Sequence, residues 1–172
     1  MPSLVSRNQI NCITPELPSS LRFDGSQSKN EVPVVVEYTS NGIDYYVSRA
    51  TQFLFVPNPK IISYRPQNGP ETGGTHVMLK GLNLRESSGL MCKFGASSKP
   101  VSAIYHGISS ITCITPIHVA SSVNLMVTIN GGADWFYAPR QFTFLTKLNV
   151  EAVFPTSGLT RGGTGVTLRG SG

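Results

Sequence analysis

The residues that could carry out chemistry in this sequence are few and widely separated. The strongest candidate for a ligand site is the glycine-rich stretch at residues 66–81, PQNGPETGGTHVMLKG, because glycine-rich loops can cradle phosphates. The stretch has no Gly-Lys-Ser/Thr ending, and it runs into an alternating strand pattern instead of opening a helix. It therefore predicts a backbone turn and excludes a nucleotide site.

The histidines and carboxylates form no recognisable catalytic or metal-binding group. His76, His106 and His118 lack the spacing of metal ligands, and the nine Asp and Glu residues are dispersed along the chain. No two carboxylates are placed for acid–base work, and no Ser, His and Asp recur together. We therefore expect a protein that is not an enzyme and that has no metal or other cofactor.

The net charge of +5 does not indicate a nucleic-acid partner. The fourteen Lys and Arg residues are scattered over the whole chain and no two are adjacent, so no basic run could follow a phosphate backbone. No apolar run approaches the ~20 residues that span a membrane. The N-terminus has no signal-peptide core, and the sequence has no Asn-x-Ser/Thr sequon. We expect neither nucleic-acid binding nor membrane insertion.

The glycine-rich stretch occurs twice, because PTSGLTRGGTGVTLRG appears 89 residues later at residues 155–170. A fixed offset over the whole stretch indicates a tandem repeat. The recurrence favours a structural corner, in which the glycines turn the chain, over a ligand-binding loop. The paired prolines and glycines are predicted to shape this turn in both copies: Pro66, Gly73, Gly74, Gly81, Pro155, Gly162, Gly163 and Gly170.

The same offset extends upstream and divides the chain into three domains. Val34 and Phe55 recur as Val123 and Phe144, so one closing hairpin occurs in two successive repeats. Residues 1–58 are then the C-terminal part of one domain, residues 59–148 a complete domain and residues 149–172 the N-terminal part of a third. We expect short, stiff joints, a polar loop insertion at 22–31, and further repeats in a longer protein.

Period-two alternation predicts about seven strands in the complete domain and almost no helix. The strands are expected at 60–65, 75–81, 90–95, 100–107, 110–116, 122–131 and 133–145. Comparing the repeats predicts which side chains face the core, since core positions stay apolar or small in both copies. Those positions are Ile61, Ser63, Val77, Leu79, Leu125, Val127 and Ile129, whereas Ile62, Met78 and Met126 are expected to face outward.

The three cysteines fit one disulfide per domain. Cys92 and Cys113 fall on two predicted strands of the complete domain, and Cys12 is the repeat equivalent of Cys113. A Cys92–Cys113 bond would contribute about 3 kcal/mol and would indicate an oxidising compartment; buried free thiols are the alternative. Cys12 would then pair with a residue outside this sequence.

The recurring motifs carry a family resemblance. P-x-x-G-x-x-x-GGT-x-V-x-L-x-G is followed by C-x-FG, I-x-C-x-TP and Q-F-x-F. This pattern resembles the IPT/TIG domain, an immunoglobulin-like β-sandwich found in plexins, Met-type receptors, fibrocystin-like surface proteins and Rel-type transcription factors. The departure is Gly-Leu-Asn-Leu at 81–84, where the family more often has Gly-Ser-Gly and an aromatic residue. The resemblance implies an all-β fold of tandem sandwiches, one complete and two partial, closest to the disulfide-containing cell-surface type.

The resemblance also implies a function in structure and recognition. We expect a spacer and adhesion module of an extracellular or cell-surface protein, with other proteins, copies of itself or neighbouring repeats as partners. The alternatives are an intracellular Rel-type module and an accessory domain of a secreted carbohydrate-active enzyme. The one aromatic-dense region is either core or a partner surface, and its candidate residues are Tyr45, Tyr46, Trp135 and Tyr137.

Overall fold

The computed structural model describes residues 3–6, 9–18, 31–47 and 52–172. In these residues every regular element is a β-strand, so the all-β prediction is confirmed. None of these residues belongs to a helix long and apolar enough to cross a membrane. The contacts divide the chain into two units, Met1–Asn58 and Pro59–Gly172. The loop insertion predicted at 22–31 lies outside the described residues except for Glu31.

The described residues of the first unit form three antiparallel strand pairs, β1 with β2, β3 with β6, and β4 with β5. Its strands are β1 (Ser3–Ser6), β2 (Gln9–Asn11), β3 (Val32–Val34), β4 (Glu37–Tyr38), β5 (Tyr46–Val47) and β6 (Phe53–Phe55). In the pair of β3 with β6, Val34 lies opposite Phe53.

The second unit contains eight strands that form a β-sandwich. They are β7 (Lys60–Arg65), β8 (Asn68–Pro70), β9 (His76–Leu82), β10 (Met91–Phe94), β11 (Val101–Gly107), β12 (Ser110–Ile114), β13 (Ser121–Thr128) and β14 (Phe136–Leu145). One layer has the order β7-β9-β12-β11, and the other has the order β10-β13-β14-β8. The start of β11 also pairs with β10, so β11 connects the two layers along one edge. Seven of these strands overlap the predicted ones with ends that differ by up to three residues, and β8 was not predicted.

The core lies between the two layers and is filled from both sides. Phe94, Phe142 and Phe144 form an edge-on cluster in which the ring centroids of Phe142 and Phe144 are 5.0 Å apart. Burial of such side chains is the main stabilising term of the fold. Both layers contribute fully or almost fully buried residues, namely Ile61, Tyr64, Val77, Leu79, Ile111, Cys113, Cys92, Phe94, Leu125, Val127, Phe142 and Phe144.

The predicted inward face of β7 is wrong at Ser63. Ser63 is exposed, and its neighbour Tyr64 is buried instead. The register of β7 against β9 shifts between Ile61 and Ser63, so a β-bulge moves the next side chains to the other face. The predictions for Ile61, Ile62, Val77, Leu79 and Met78 are confirmed.

Met126 also differs from its prediction, because it is buried although its neighbours Leu125 and Val127 face the core. Its strand pairs Met126 with Lys93 on one side and with Tyr137 on the other. The long side chains of the two adjoining strands flank Met126 on the outer surface. The pairing thus places Met126 on the outer face, between Lys93 and Tyr137, where it is nevertheless buried.

A final antiparallel hairpin comes after the sandwich and consists of β15 (Asn149–Phe154) and β16 (Thr167–Ser171). Every residue of both strands is exposed. The hairpin has the sequence pattern of β7 and β9, yet no second layer covers it among the described residues.

Candidate functional site: the glycine corner, the disulfide and the aromatic surface

The glycine corner of the complete domain is closed by its own hydrogen bonds. Gly73 and Gly74 have φ values of 75° and 80°, in the region that glycine adopts without strain. The amide of Gly73 donates to the Pro70 carbonyl at 3.0 Å, and the amide of Gly74 donates to the Thr115 carbonyl at 2.9 Å. The next amide, of Thr75, donates to the Thr115 hydroxyl at 3.0 Å. Three successive amides therefore bind the chain itself, which leaves none of them to hold an anion.

The two glycines of this corner have different roles. Gly73 is required both by its positive φ and by the lack of room for a side chain, because a Cβ there would lie 2.7 Å from the carbonyl oxygen of Pro116. At Gly74 a Cβ would meet nothing, and only the positive φ requires glycine. Gly81 has a third role, because its Cβ would collide with the carbonyl oxygen of Lys60 on the neighbouring strand.

The corner recurs in the hairpin β15–β16. Gly162 and Gly163 have φ values of 77° and 83°, and the Gly162 amide donates to the Leu159 carbonyl at 3.0 Å. A Cβ at Gly170 would collide with the carbonyl oxygen of Asn149, as at Gly81. Both corners begin with a cis peptide bond, at Pro66 and at Pro155. The repeated residues thus build the same turn twice.

A disulfide joins Cys92 on β10 to Cys113 on β12, with the two Cα atoms 6.2 Å apart. These strands belong to opposite layers, and both cysteines are fully buried. A bond closing a loop of this length contributes about 3 kcal/mol by restricting the unfolded chain. Cys12, the repeat equivalent of Cys113, is an exposed free thiol.

Tyr64 provides a second link between the layers. Its hydroxyl donates to the carbonyl oxygen of Arg140, on β14, at 3.1 Å. Burial raises the pKa of the Tyr64 phenol above its usual value, and the nearby Arg140 guanidinium partly opposes this effect.

The histidines are dispersed and have structural contacts. His106 Nε2 lies 2.9 Å from the Thr112 hydroxyl, and His118 stacks on Phe144 with 4.8 Å between the ring centroids. His76 is exposed on β9. No group of three or more His, Cys, Asp or Glu residues in the described ranges could hold a metal ion.

Two carboxylates shape a turn that recurs in both units. Asn130 Oδ1 accepts the amide of Asp134 at 3.0 Å, while Asn130 Nδ2 donates to Asp134 Oδ2 at 2.8 Å. In the first unit Asn41 and Asp44 make the same pair of bonds, at 2.9 Å and 2.7 Å. These side chains satisfy the backbone of a tight turn, as expected of Asn and Asp there.

The four candidate partner-surface residues are divided between the two units, with two residues on each. Tyr45 and Tyr46 are on the first unit, where they are 60% and 54% exposed, and Tyr46 stacks on Tyr38 with centroids 5.2 Å apart. On the second unit Tyr137 is 64% exposed, whereas Trp135 is half-buried.

Trp135 belongs to an outward-facing cluster on the second layer. The Lys93 ammonium lies 5.7 Å from its ring centroid, within the range of a cation–π contact. Lys93, Met126 and Tyr137 occupy one row across β10, β13 and β14. Sequence reasoning missed Lys93 and Met126, because only the strand pairing brings them beside the aromatic residues.

A groove of about 690 Å³ lies in the first unit. Its apolar lining includes Ile10, Cys12, Phe53 and Phe55, whose repeat equivalents Ile111, Cys113, Phe142 and Phe144 are the buried core of the complete domain. The lining of the groove therefore has the sequence pattern of the sandwich core.

The sequence model of the IPT/TIG domain matches residues 59–144, which is half of the chain and covers the sandwich. The chain belongs to the IPT/TIG family. Plexin-2 of Caenorhabditis briggsae is 28% identical over 141 residues, which are 77% of this chain and 8% of that protein. Fibrocystin-L of Homo sapiens is 29% identical over 104 residues, which are 60% of this chain and 2% of that protein. This IPT/TIG chain therefore spans less than a tenth of the length of these relatives.

The IPT/TIG fold is also found in a solved plexin structure. The match to the structure of the full extracellular region of plexin A4 covers 67% of this chain and 12% of the plexin chain. Its TM-score is 0.52, and the sequence identity is 23%. This likeness shows the fold. The plexin relatives support an IPT/TIG module of a cell-surface receptor ectodomain.

Proposed function

We propose that this chain is a non-catalytic structural and adhesion segment of an extracellular or cell-surface multi-repeat protein. In this role it holds neighbouring domains at a fixed spacing and offers surfaces to other proteins, including copies of itself and neighbouring repeats. The similarity to plexins supports a surface location. The Cys92–Cys113 disulfide also supports it and disfavours an intracellular transcription-factor module, because such bonds persist in oxidising compartments.

The observation that carries the spacer role is the joint after the complete domain. β14 ends at Leu145 and β15 begins at Asn149, so three residues connect them. The Leu145 carbonyl accepts the amide of Glu71 at 2.8 Å, and Glu71 Oε1 accepts the amide of Lys147 at 3.3 Å. A link this short, bonded to the glycine corner, restricts the motion of the hairpin β15–β16.

The proposal includes the division of the chain into three IPT/TIG domains and the recognition role of its exposed aromatic residues. Residues 59–148 are a complete IPT/TIG domain between the C-terminal part of one such domain, residues 1–58, and the N-terminal part of another, residues 149–172. Cys12, which is a free thiol in this chain, pairs with a residue outside this sequence. The aromatic residues act in recognition. Tyr and Trp give a large rigid contact area at little entropic cost, which favours them in protein interfaces. The proposed contact residues are Tyr45, Tyr46, Trp135 and Tyr137.

The joint can be tested by removing its side-chain bond. In the wild-type chain we expect ¹⁵N relaxation to give amides 149–171 the same overall correlation time as amides 60–145, with order parameters near ~0.85. Glu71→Ala removes the acceptor of the Lys147 amide, and we expect order parameters in the hairpin to fall toward ~0.6.

Glu86→Ala is the matched control, since Glu86 is an exposed carboxylate in the loop between β9 and β10. It makes the same charge change and should leave the hairpin dynamics unaltered. Independent nanosecond tumbling of residues 149–171 in the wild-type chain would contradict the spacer proposal.

A further inference from the structure

The outer face of the layer β7-β9-β12-β11 is more apolar than a solvated sheet face needs to be. Ile62, Met78, Leu82 and Ile104 are 54%, 49%, 52% and 50% exposed, and all four point away from the core. A sheet with one wet face normally alternates apolar inward residues with polar outward ones. Four large apolar side chains on one solvent-facing side of a sheet are typical of an interaction surface.

These side chains lie close together across the strands. One row runs from Arg65 through Met78 and Thr112 to Ile104, each directly opposite the next. Neighbouring strands are about 4.8 Å apart, so this row spans about 15 Å. Thr112, in the middle of the row, is only 8% exposed although it points outward. The Thr112 hydroxyl lies 2.9 Å from His106 Nε2, so a histidine adjoins the apolar side chains at the middle of the row.

The next repeat shows that the fold does not require apolar residues here. Ile62 and Leu82 correspond to Glu151 and Ser171, and the Ser171 hydroxyl donates to Glu151 Oε1 at 2.7 Å. The hairpins that carry the two pairs have the same register. One repeat thus has a hydrogen-bonded polar pair where the complete domain exposes two large apolar side chains.

The charged residues on the four strands of this face are all of one sign. Lys60, Arg65 and Lys80 are exposed on β7 and β9, and β7, β9, β11 and β12 contain no Asp or Glu. A partner with carboxylates at its edge would meet complementary charges here. An identical copy docking the same face would instead place lysines and arginines against each other, which is unfavourable.

We propose that this outer face, defined by Ile62, Met78, Leu82 and Ile104 and bordered by Lys60, Arg65 and Lys80, binds a second protein. The partner surface has an apolar centre and Asp or Glu side chains around it. The inference rests on the proposed role as an interaction module and adds to it a second surface, on the layer opposite Trp135 and Tyr137.

The test uses the intact 172-residue chain and a displayed library of a small helical scaffold protein with one randomised face. Binders are selected against the wild-type chain without bias toward any surface. Each is then measured against I62E/L82S, which introduces the residues of the next repeat and so preserves the fold. The control I117E/L159S makes the same chemical changes at two exposed apolar residues outside the four strands. Y137S reports binders that use the aromatic surface.

We expect most binders to be rich in Asp and Glu beside apolar residues. Their affinity should fall at least tenfold with I62E/L82S, weaken with added salt, and stay unchanged with I117E/L159S. The proposal is overturned if most binders tolerate I62E/L82S. If those binders are lost with Y137S, the interaction role survives and only this face is wrong; if no binder depends on either surface, both fail.

A second experiment measures binding of the chain to vesicles of phosphatidylcholine with 30% phosphatidylserine. The proposal predicts no binding of the wild-type chain at physiological salt. Vesicle binding that is abolished by I62E/L82S would overturn it, because the face would then recognise an anionic lipid surface.

Discussion

The hairpin β7–β9 of the complete domain and the later hairpin β15–β16 have the same geometry in different surroundings. Ile61 lies opposite Gly81 as Val150 lies opposite Gly170, and Tyr64 lies opposite Leu79 as Val153 lies opposite Leu168. Even the bulge recurs, between Ile61 and Ser63 and between Val150 and Ala152. The local sequence is therefore enough to set register, bulge and turn.

The two hairpins differ in burial. Leu79 is fully buried, whereas Leu168 is 61% exposed; Ile61 is 5% exposed, whereas Val150 is 56% exposed. A two-stranded hairpin is marginal by itself in water, and its apolar face gains free energy only when a second layer covers it. Local geometry and stability thus have separate origins in this chain.

Truncating the matched leucines should give the largest difference between the hairpins. We expect Leu79→Ala to lower the free energy of unfolding of the complete domain by about 2–5 kcal/mol, because it leaves a cavity in a closed core. Leu168→Ala should change it by less than about 0.5 kcal/mol, since Leu168 is exposed. Urea unfolding followed by Trp135 fluorescence measures both. Equal losses would show that the two hairpins are equally well packed.

The hydroxyl of Tyr64 should give a smaller effect, present only in the complete domain because the next repeat has Val153 there. We expect Tyr64→Phe to cost about 0.5–1.5 kcal/mol by removing the bond to the Arg140 carbonyl. Tyr137→Phe, at an exposed tyrosine, is the control and should cost almost nothing.

The raised pKa of Tyr64 also predicts that the stability of the domain depends on pH, and Tyr64→Phe tests this. The folded-state pKa of Tyr64 is raised, so its stabilising contribution is fully present below the unfolded value near 10 and is lost as the pH rises through the folded value. Wild-type stability should therefore fall above about pH 10, and Tyr64→Phe should lack this part of the decline. An identical alkaline decline in both proteins would contradict the burial-raised pKa.

Most of the fold could be predicted from the sequence because the repeat supplies a second copy for comparison. Replacement of Ile62 by Glu151 and of Met78 by Thr167 identified the outward positions, while Val77 and Leu79 stayed apolar. Seven strand positions were predicted from the alternation, and the disulfide was predicted from one cysteine pair per repeat.

The features that sequence comparison missed depend on register and on neighbouring strands. The bulge that exposes Ser63 occurs in both repeats, so comparing them could not detect it. β8 is three residues long and pairs in parallel with β14, a contact that carries no local alternation. Met126 is buried although it lies on the outer face between Lys93 and Tyr137, and Lys93 reaches Trp135 only after the strands pair.

Amide hydrogen exchange of the intact chain tests the central claim most directly, namely that residues 59–148 close one sandwich and residues 149–172 open another. Strands within a closed core exchange only by global unfolding, while uncovered strands open locally. We predict that the slowest amides of β9 exchange at least about 10³-fold more slowly than those of β16, which corresponds to about 4 kcal/mol. Protection of β16 within tenfold of β9 would contradict this account, because the two hairpins would then share one stable core.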